Sequence, residues 1–232
     1  MVQPSSSIVS LSMVFAAGLA GGLWWLGAVE TPQLEPLETF LSTLSTEAPA
    51  EVHWPRVGEA YPDLELMDLD GQMIHLSKYR GRLLILEPAA ICCSGCQAFS
   101  GGQEKGGYAG FRPQPGLPSF ERLFSRYSAG ASLSDPRLTF VQILFYGTSA
   151  DRPPTLAEAR GWAKHFGMDA APNRVVLIAP PHLLSAQTWA MIPSFQLIDK
   201  NFILRADAGN PPRQNLYREL IPLAKTLLQN SN

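Results

Sequence analysis

Charge and cysteine are both scarce in this chain. Of its 232 residues, 18 are Lys or Arg and 20 are Asp or Glu, and this charged fraction of 16% is low for a free soluble domain. The net charge of −2 leaves no basic footprint of the kind nucleic-acid binding needs. No Lys or Arg precedes Arg56, so the positive-inside rule has little to count at the front. The histidines (His53, His75, His165, His182) show no tight ligand spacing around the cysteines, which argues against a four-ligand structural zinc site. Only three cysteines occur, and all fall in Ile91-Cys92-Cys93-Ser94-Gly95-Cys96.

That clustering at the end of the apolar run Leu83-Leu84-Ile85-Leu86 is hard to explain by packing alone. Cys93-Ser94-Gly95-Cys96 is a C-x-x-C, and Cys92 and Cys96 also make a C-x-x-x-C. On the first turn after a strand, C-x-x-C lets two sulfurs meet without backbone distortion. Helix N-terminal N–H groups favour the first thiolate, and the deeper second sulfur resolves mixed disulfides. A local structural disulfide is the plainer alternative. Cys92 is left to pair with a partner, bind a soft metal with its neighbours, or fill a small buried site.

Ile8 to Val29 carries no charge and is about as long as a bilayer-spanning helix needs, with Trp24 and Trp25 near its end. The residues before it lack Lys and Arg, and no convincing A-x-A cleavage site follows. An uncleaved anchor over 1–30 is therefore expected rather than a cleaved signal. Residues 31–56 read as a Pro/Glu-rich linker with Pro32, Pro36, Pro49 and Pro55. Leu34, Leu37, Phe40, Leu41 and Leu44 recur there at near-helical spacing.

Residues 57–232 predict a single domain with a 46% hydrophobic chain to build its core. Leu64–Asp68 and Gln72–Leu76 read as a hairpin around Asp70-Gly71. Arg82–Leu86, Leu138–Tyr146 and Val175–Ile178 read as buried strands, and Phe195–Ile198 with Phe202–Arg205 as a last hairpin. Helices are expected over Ser119–Tyr127 with Ser119 as N-cap, Thr155–Phe166, Leu183–Met191 and Asn215–Leu228. Between Cys96 and Ser119 helix potential lasts only through Phe99. Repeated Gly and Pro then predict a loop insertion, residues 100–118, that either covers the cysteines, holds a partner, or is a floppy excursion. Strands alternating with helices indicate an α/β sheet with helices on both faces.

At this point the chain resembles the thioredoxin-fold superfamily from Val57 onward. The features are the strand and cysteines from Leu83 to Cys96, then Met191-Ile192-Pro193-Ser194-Phe195, then the hairpin Phe195 to Leu204. The resemblance implies a thioredoxin-like central sheet flanked by helices. It implies that Cys93 attacks, that Cys96 resolves, that Glu87 is a buried acid beneath the pair, and that Pro193 is a cis-proline presenting backbone to substrate. It further implies an exported, single-pass protein of the bacterial inner membrane, its main domain in the periplasm. Its partners would be protein thiols or a membrane redox complex, with no cofactor. Phe145 to Thr155 is also similar to the Sco-type copper chaperones. That branch would use Cys92 and Cys96 with Met191 or His182 to hold Cu(I) for a membrane redox enzyme. A third possibility is a non-catalytic accessory subunit of a membrane complex.

Overall fold

The computed structural model describes residues 52–209 and 215–230. The expected span 8–29 and most of the linker lie outside the described residues. Among the described residues no helix is long and apolar enough to cross a membrane. Seven strands form one mixed sheet: β1 (Glu65–Met67), β2 (Met73–His75), β3 (Leu83–Ala90), β4 (Leu138–Tyr146), β5 (Arg174–Ile178), β6 (Gln196–Ile198) and β7 (Leu204–Asp207). Their order is β2-β1-β5-β4-β3-β6-β7. The helices are α1 (Ser94–Phe99), α2 (Gly102–Lys105), α3 (Phe120–Tyr127), α4 (Leu156–Phe166), α5 (Ala186–Ala190) and α6 (Ile221–Gln229).

β3 and β4 run parallel, and β6 and β7 follow antiparallel on the other side of β3. This β4-β3-β6-β7 arrangement is the core of the thioredoxin fold. β5 extends it in parallel beyond β4, and the β1–β2 hairpin closes that edge. Every residue of β3 and β4 is buried, as expected of strands covered on both faces. Alternation along β4 sorts its side chains. Phe140 stacks on Phe120 of α3, Gln142 reaches Trp162 of α4, and Phe145 meets Trp54.

Four local expectations need correction. β3 does not stop at Leu86 but runs through Pro88 to Ala90. Its pairing with β6 ends at Leu86, so the missing Pro88 N–H falls where that ladder has already finished. The stretch 100–118 is not wholly irregular, because α2 forms one helical turn inside it. Leu183–Met191 divides into a 3-10 turn, Pro181–Leu183, and α5, because Ser185 caps α5 through the Thr188 amide. Ser119 stands at the start of α3, but its side chain makes no capping bond. The closing helix enters through a π-helical stretch, Leu216–Leu220.

The junction from β4 to α4 is held by one carboxylate. Thr155 caps α4 by accepting from the Glu158 amide, and Glu158 accepts in return from the Thr155 amide at 2.7 Å. The same carboxylate takes a two-pronged bond from Arg152 at 2.8 and 2.9 Å, and a further bond from the Thr148 hydroxyl. These donors, the Arg152 guanidinium first, hold the Glu158 carboxyl well below its ordinary value of 4.5. Its stabilising effect is therefore complete above that value and lost as pH falls through the lower range. Glu158→Gln is expected to cost about 1 kcal/mol at neutral pH, limited by solvent screening of the half-exposed Arg152. Urea titrations of both proteins should converge as the solution is acidified.

Candidate active site

The site begins where β3 ends. Cys93 is the N-cap of α1, with extended backbone (φ −85°, ψ 118°), and its Sγ accepts from the Cys96 amide at 3.2 Å. The sequence does this because Ser94-Gly95-Cys96 turns at once into helix, leaving the first N–H groups aimed at the residue before it. The Cys96 thiol donates a hydrogen bond to Cys93. This bond first, aided by the Cys96 and Gly95 amides and opposed by burial, holds the Cys93 thiol down to about 7. The favourable groups are local N–H and S–H donors, so the shortness of α1 matters little. Cys96 is fully buried, and burial first, then the neighbouring Cys93, pushes its thiol well above the ordinary value. One sulfur is primed as thiolate and the other keeps its proton.

Glu87 lies fully buried on β3, not exposed at a strand end. Burial raises its carboxyl to about 8, against a hydrogen bond from Gln142 that favours the charged form. The charge of Glu87 bears on Cys96 and that of Cys93 bears on Glu87, which places the three groups within electrostatic reach of one another. Glu87 Oε2 accepts from Gln142 Nε2 at 2.7 Å, and Glu87 Oε1 has no hydrogen-bond partner among the described residues.

Gln142 sits directly across from Glu87 in the β3–β4 register. Trp162 Nε1, which can only donate, gives its bond to Gln142 Oε1 at 3.0 Å. The amide orientation is thereby fixed, and Nε2 must face Glu87 Oε2 and Ser100 Oγ (2.8 Å). Sequence reading missed this network. The available signal was a lone Gln inside the apolar run Leu138–Tyr146, since a buried amide needs partners.

The Ile192–Pro193 peptide bond is cis. Pro193 lies against α1 so closely that a Cβ on Gly95 would stand 2.9 Å from Pro193 Cγ. Cys93, Cys96, Glu87 and Pro193 are thus brought together. Cys92 is not part of the pair. Its amide donates to Gly147 O at 3.1 Å, its thiol is half-buried, and burial raises it.

Among the described residues no group of three or more His, Cys, Asp or Glu is placed to hold a metal ion. His182 is exposed on its own 3-10 turn, pinned by the Leu183 and Leu184 amides bonding back to Pro180 and Pro181, while Met191 ends α5.

The insertion is ordered rather than floppy. Gln97, one residue beyond Cys96, donates to Ile91 O (2.7 Å) and Tyr108 O (3.3 Å) and accepts from the Tyr108 amide (2.8 Å). The Tyr108 ring packs edge-on to Trp162, Lys105 Nζ donates to Phe166 O, and His165 Nε2 bonds Gly106 O. A strap is tied to both the cysteine helix and α4.

Two titrations follow. Thiolate absorbance of Cys93 should rise with an inflection near pH 7. In Cys96→Ala the inflection should move up toward 9, because the principal donor is gone. Gln142→Leu should drive the Glu87 carboxyl above its present value of about 8, read by carboxyl NMR or infrared titration.

No family model matches the chain, and no curated protein matches it. Solved structures do. The thioredoxin domain of a thiol-disulfide oxidoreductase from Bacteroides vulgatus is 15% identical over 77% of this chain and 99% of its own, with a TM-score of 0.44. A thiol:disulfide interchange protein of the thioredoxin family from Chlorobium tepidum TLS is 17% identical over 75% and 98%, TM-score 0.43. An uncharacterized thioredoxin-like protein from Porphyromonas gingivalis is 11% identical over 77% and 97%, TM-score 0.44. At such identities a functional assignment rests on the site itself; by its strand order and the setting of its cysteines, the domain has the thioredoxin fold.

Proposed function

We propose that the domain is a thiol–disulfide oxidoreductase acting on protein cysteines. The observation that carries this is the asymmetry of Cys93 and Cys96, one held down to about 7 and the other pushed well up, above a buried Glu87. The Cys93 thiolate attacks one sulfur of a substrate disulfide, forming a mixed disulfide and releasing the other sulfur as thiolate. Cys96 gives its proton to ionised Glu87, attacks Cys93 Sγ, and releases the second substrate thiolate. Two electrons pass to the substrate, and a Cys93–Cys96 disulfide remains for an external dithiol to reduce. In the reverse direction an incoming thiolate attacks that disulfide at Cys93. Buried Cys96 leaves and takes the proton that Glu87 holds at neutral pH.

The uncharged stretch Ile8–Val29 supports an anchored protein, with the domain on the outer, periplasmic side of a bacterial inner membrane. Its substrates would be protein thiols or a membrane redox complex on that side.

Cys93→Ser should abolish exchange, and Cys96→Ser should accumulate mixed disulfides visible on non-reducing gels. Retention of activity by Cys93→Ser would overturn the assignment. In stopped-flow, mixed-disulfide resolution should speed up as pH rises through about 8, because only ionised Glu87 accepts the Cys96 proton. Glu87→Gln should remove that inflection and slow the step about a hundredfold.

A further inference from the structure

The strap places one unused amide beside the reacting cysteines. Both backbone groups of Gln114 are taken: its N–H donates to Ser94 O at 2.8 Å, and its C=O accepts from Gln103 Nε2 at 2.6 Å. Pro113 and Pro115 flank it and narrow its backbone further. The Gln97 clamp on Tyr108 and the Tyr108 packing on α4 hold the rest of the strap. The Gln114 side chain is exposed, and its amide has no hydrogen-bond partner among the described residues.

Its position is set by Gly95. A Cβ there would lie 3.5 Å from Gln114 Oε1 and 2.9 Å from Pro193 Cγ. Gln114 and Pro193 thus both border Gly95 in the first turn of α1, the turn that holds Cys93 and Cys96. A chain that brings a sulfur to Cys93 along Pro193 passes within reach of the Gln114 amide. That amide carries one acceptor and two donors, the complement of a peptide group. A small disulfide without a backbone offers it no peptide N–H and C=O to pair with.

We propose that Gln114 is a specificity-determining residue that hydrogen-bonds the backbone of an extended polypeptide bearing the target disulfide, so that the strap selects polypeptide over small-molecule disulfides. This rests on the reading of Cys93 and Cys96 as an exchange pair. Because both of its own backbone groups are already engaged, the backbone that carries Gln114 need not be ordered on binding, and only the side chain's rotamer freedom is lost.

The test uses the full chain, kept reduced by dithiothreitol, and two substrates: an unstructured peptide with one disulfide, and bis(2-hydroxyethyl) disulfide, with the uncatalysed rate subtracted for each. Gln114→Ala is expected to lower kcat/KM for the peptide about five- to tenfold. The small disulfide should change less than about twofold on the same scale. N-methylation of the peptide backbone beside its cysteine should impose the same loss on the wild type and little further loss on Gln114→Ala. Gly161→Ala tests the strap as a whole. The added methyl would meet Tyr108 Oη at 2.1 Å and push the ring away, so it should reproduce the peptide-selective loss. Equal losses on both substrates, or an unchanged peptide rate, would overturn the proposal. A wild-type chain inactive on both would instead overturn the exchange chemistry beneath it.

Discussion

Burial of Glu87 on a strand with no exposed residue is the constraint on which the rest of this domain turns. A carboxyl there is costly if charged and unpaired, so the fold must either neutralise it or surround it with donors. It does both in part. Gln142 donates to one oxygen, the other has no partner among the described residues, and burial pushes the group up from 4.5 to about 8. Gln142 is in turn locked by Trp162, so a helix residue on α4 decides which way an amide on β4 points. The acid behind the cysteines is therefore set by packing between secondary elements, not by the cysteine motif.

The sheet was largely readable from residue pattern. Mostly apolar runs gave β3, β4 and β5, and Asp70-Gly71 gave the first turn, where the Asp68 carboxylate accepts from the Asp70 and Gln72 amides. Extra length in β3 was hidden because Pro88 reads as a stop unless one knows that β6 pairs only as far as Leu86. The strap was hidden for a related reason. Gly and Pro announce irregular backbone, but its order comes from the side chains of Gln97, Gln103 and Lys105 bonding to backbone far away in sequence. Periodicity carries no trace of such bonds.

The candidate site was legible where local chemistry sufficed. C-x-x-C with a following Ile-Pro predicts which groups meet, and Cys93, Cys96 and Pro193 do lie together at α1. Long-range geometry was not legible. Whether His182 joins the cysteines depends on a turn after Pro180-Pro181 that keeps it at the surface. Choice between Cys92 and Cys93 as partner of Cys96 likewise depends on the backbone. At Cys92 the amide still continues the β3–β4 contact by bonding Gly147 O, and only at Cys93 does the chain turn into helix.

The bond from Trp162 to Gln142 has an optical consequence. The indole ends in a chain of two hydrogen bonds that terminates on Glu87, with the ring itself fully buried and shielded from water. Ionising Glu87 changes the field along that ring, and the field sets the emission energy of an indole. The domain thus contains its own fluorophore for the charge state of its buried acid, with no label to be added near the cysteines.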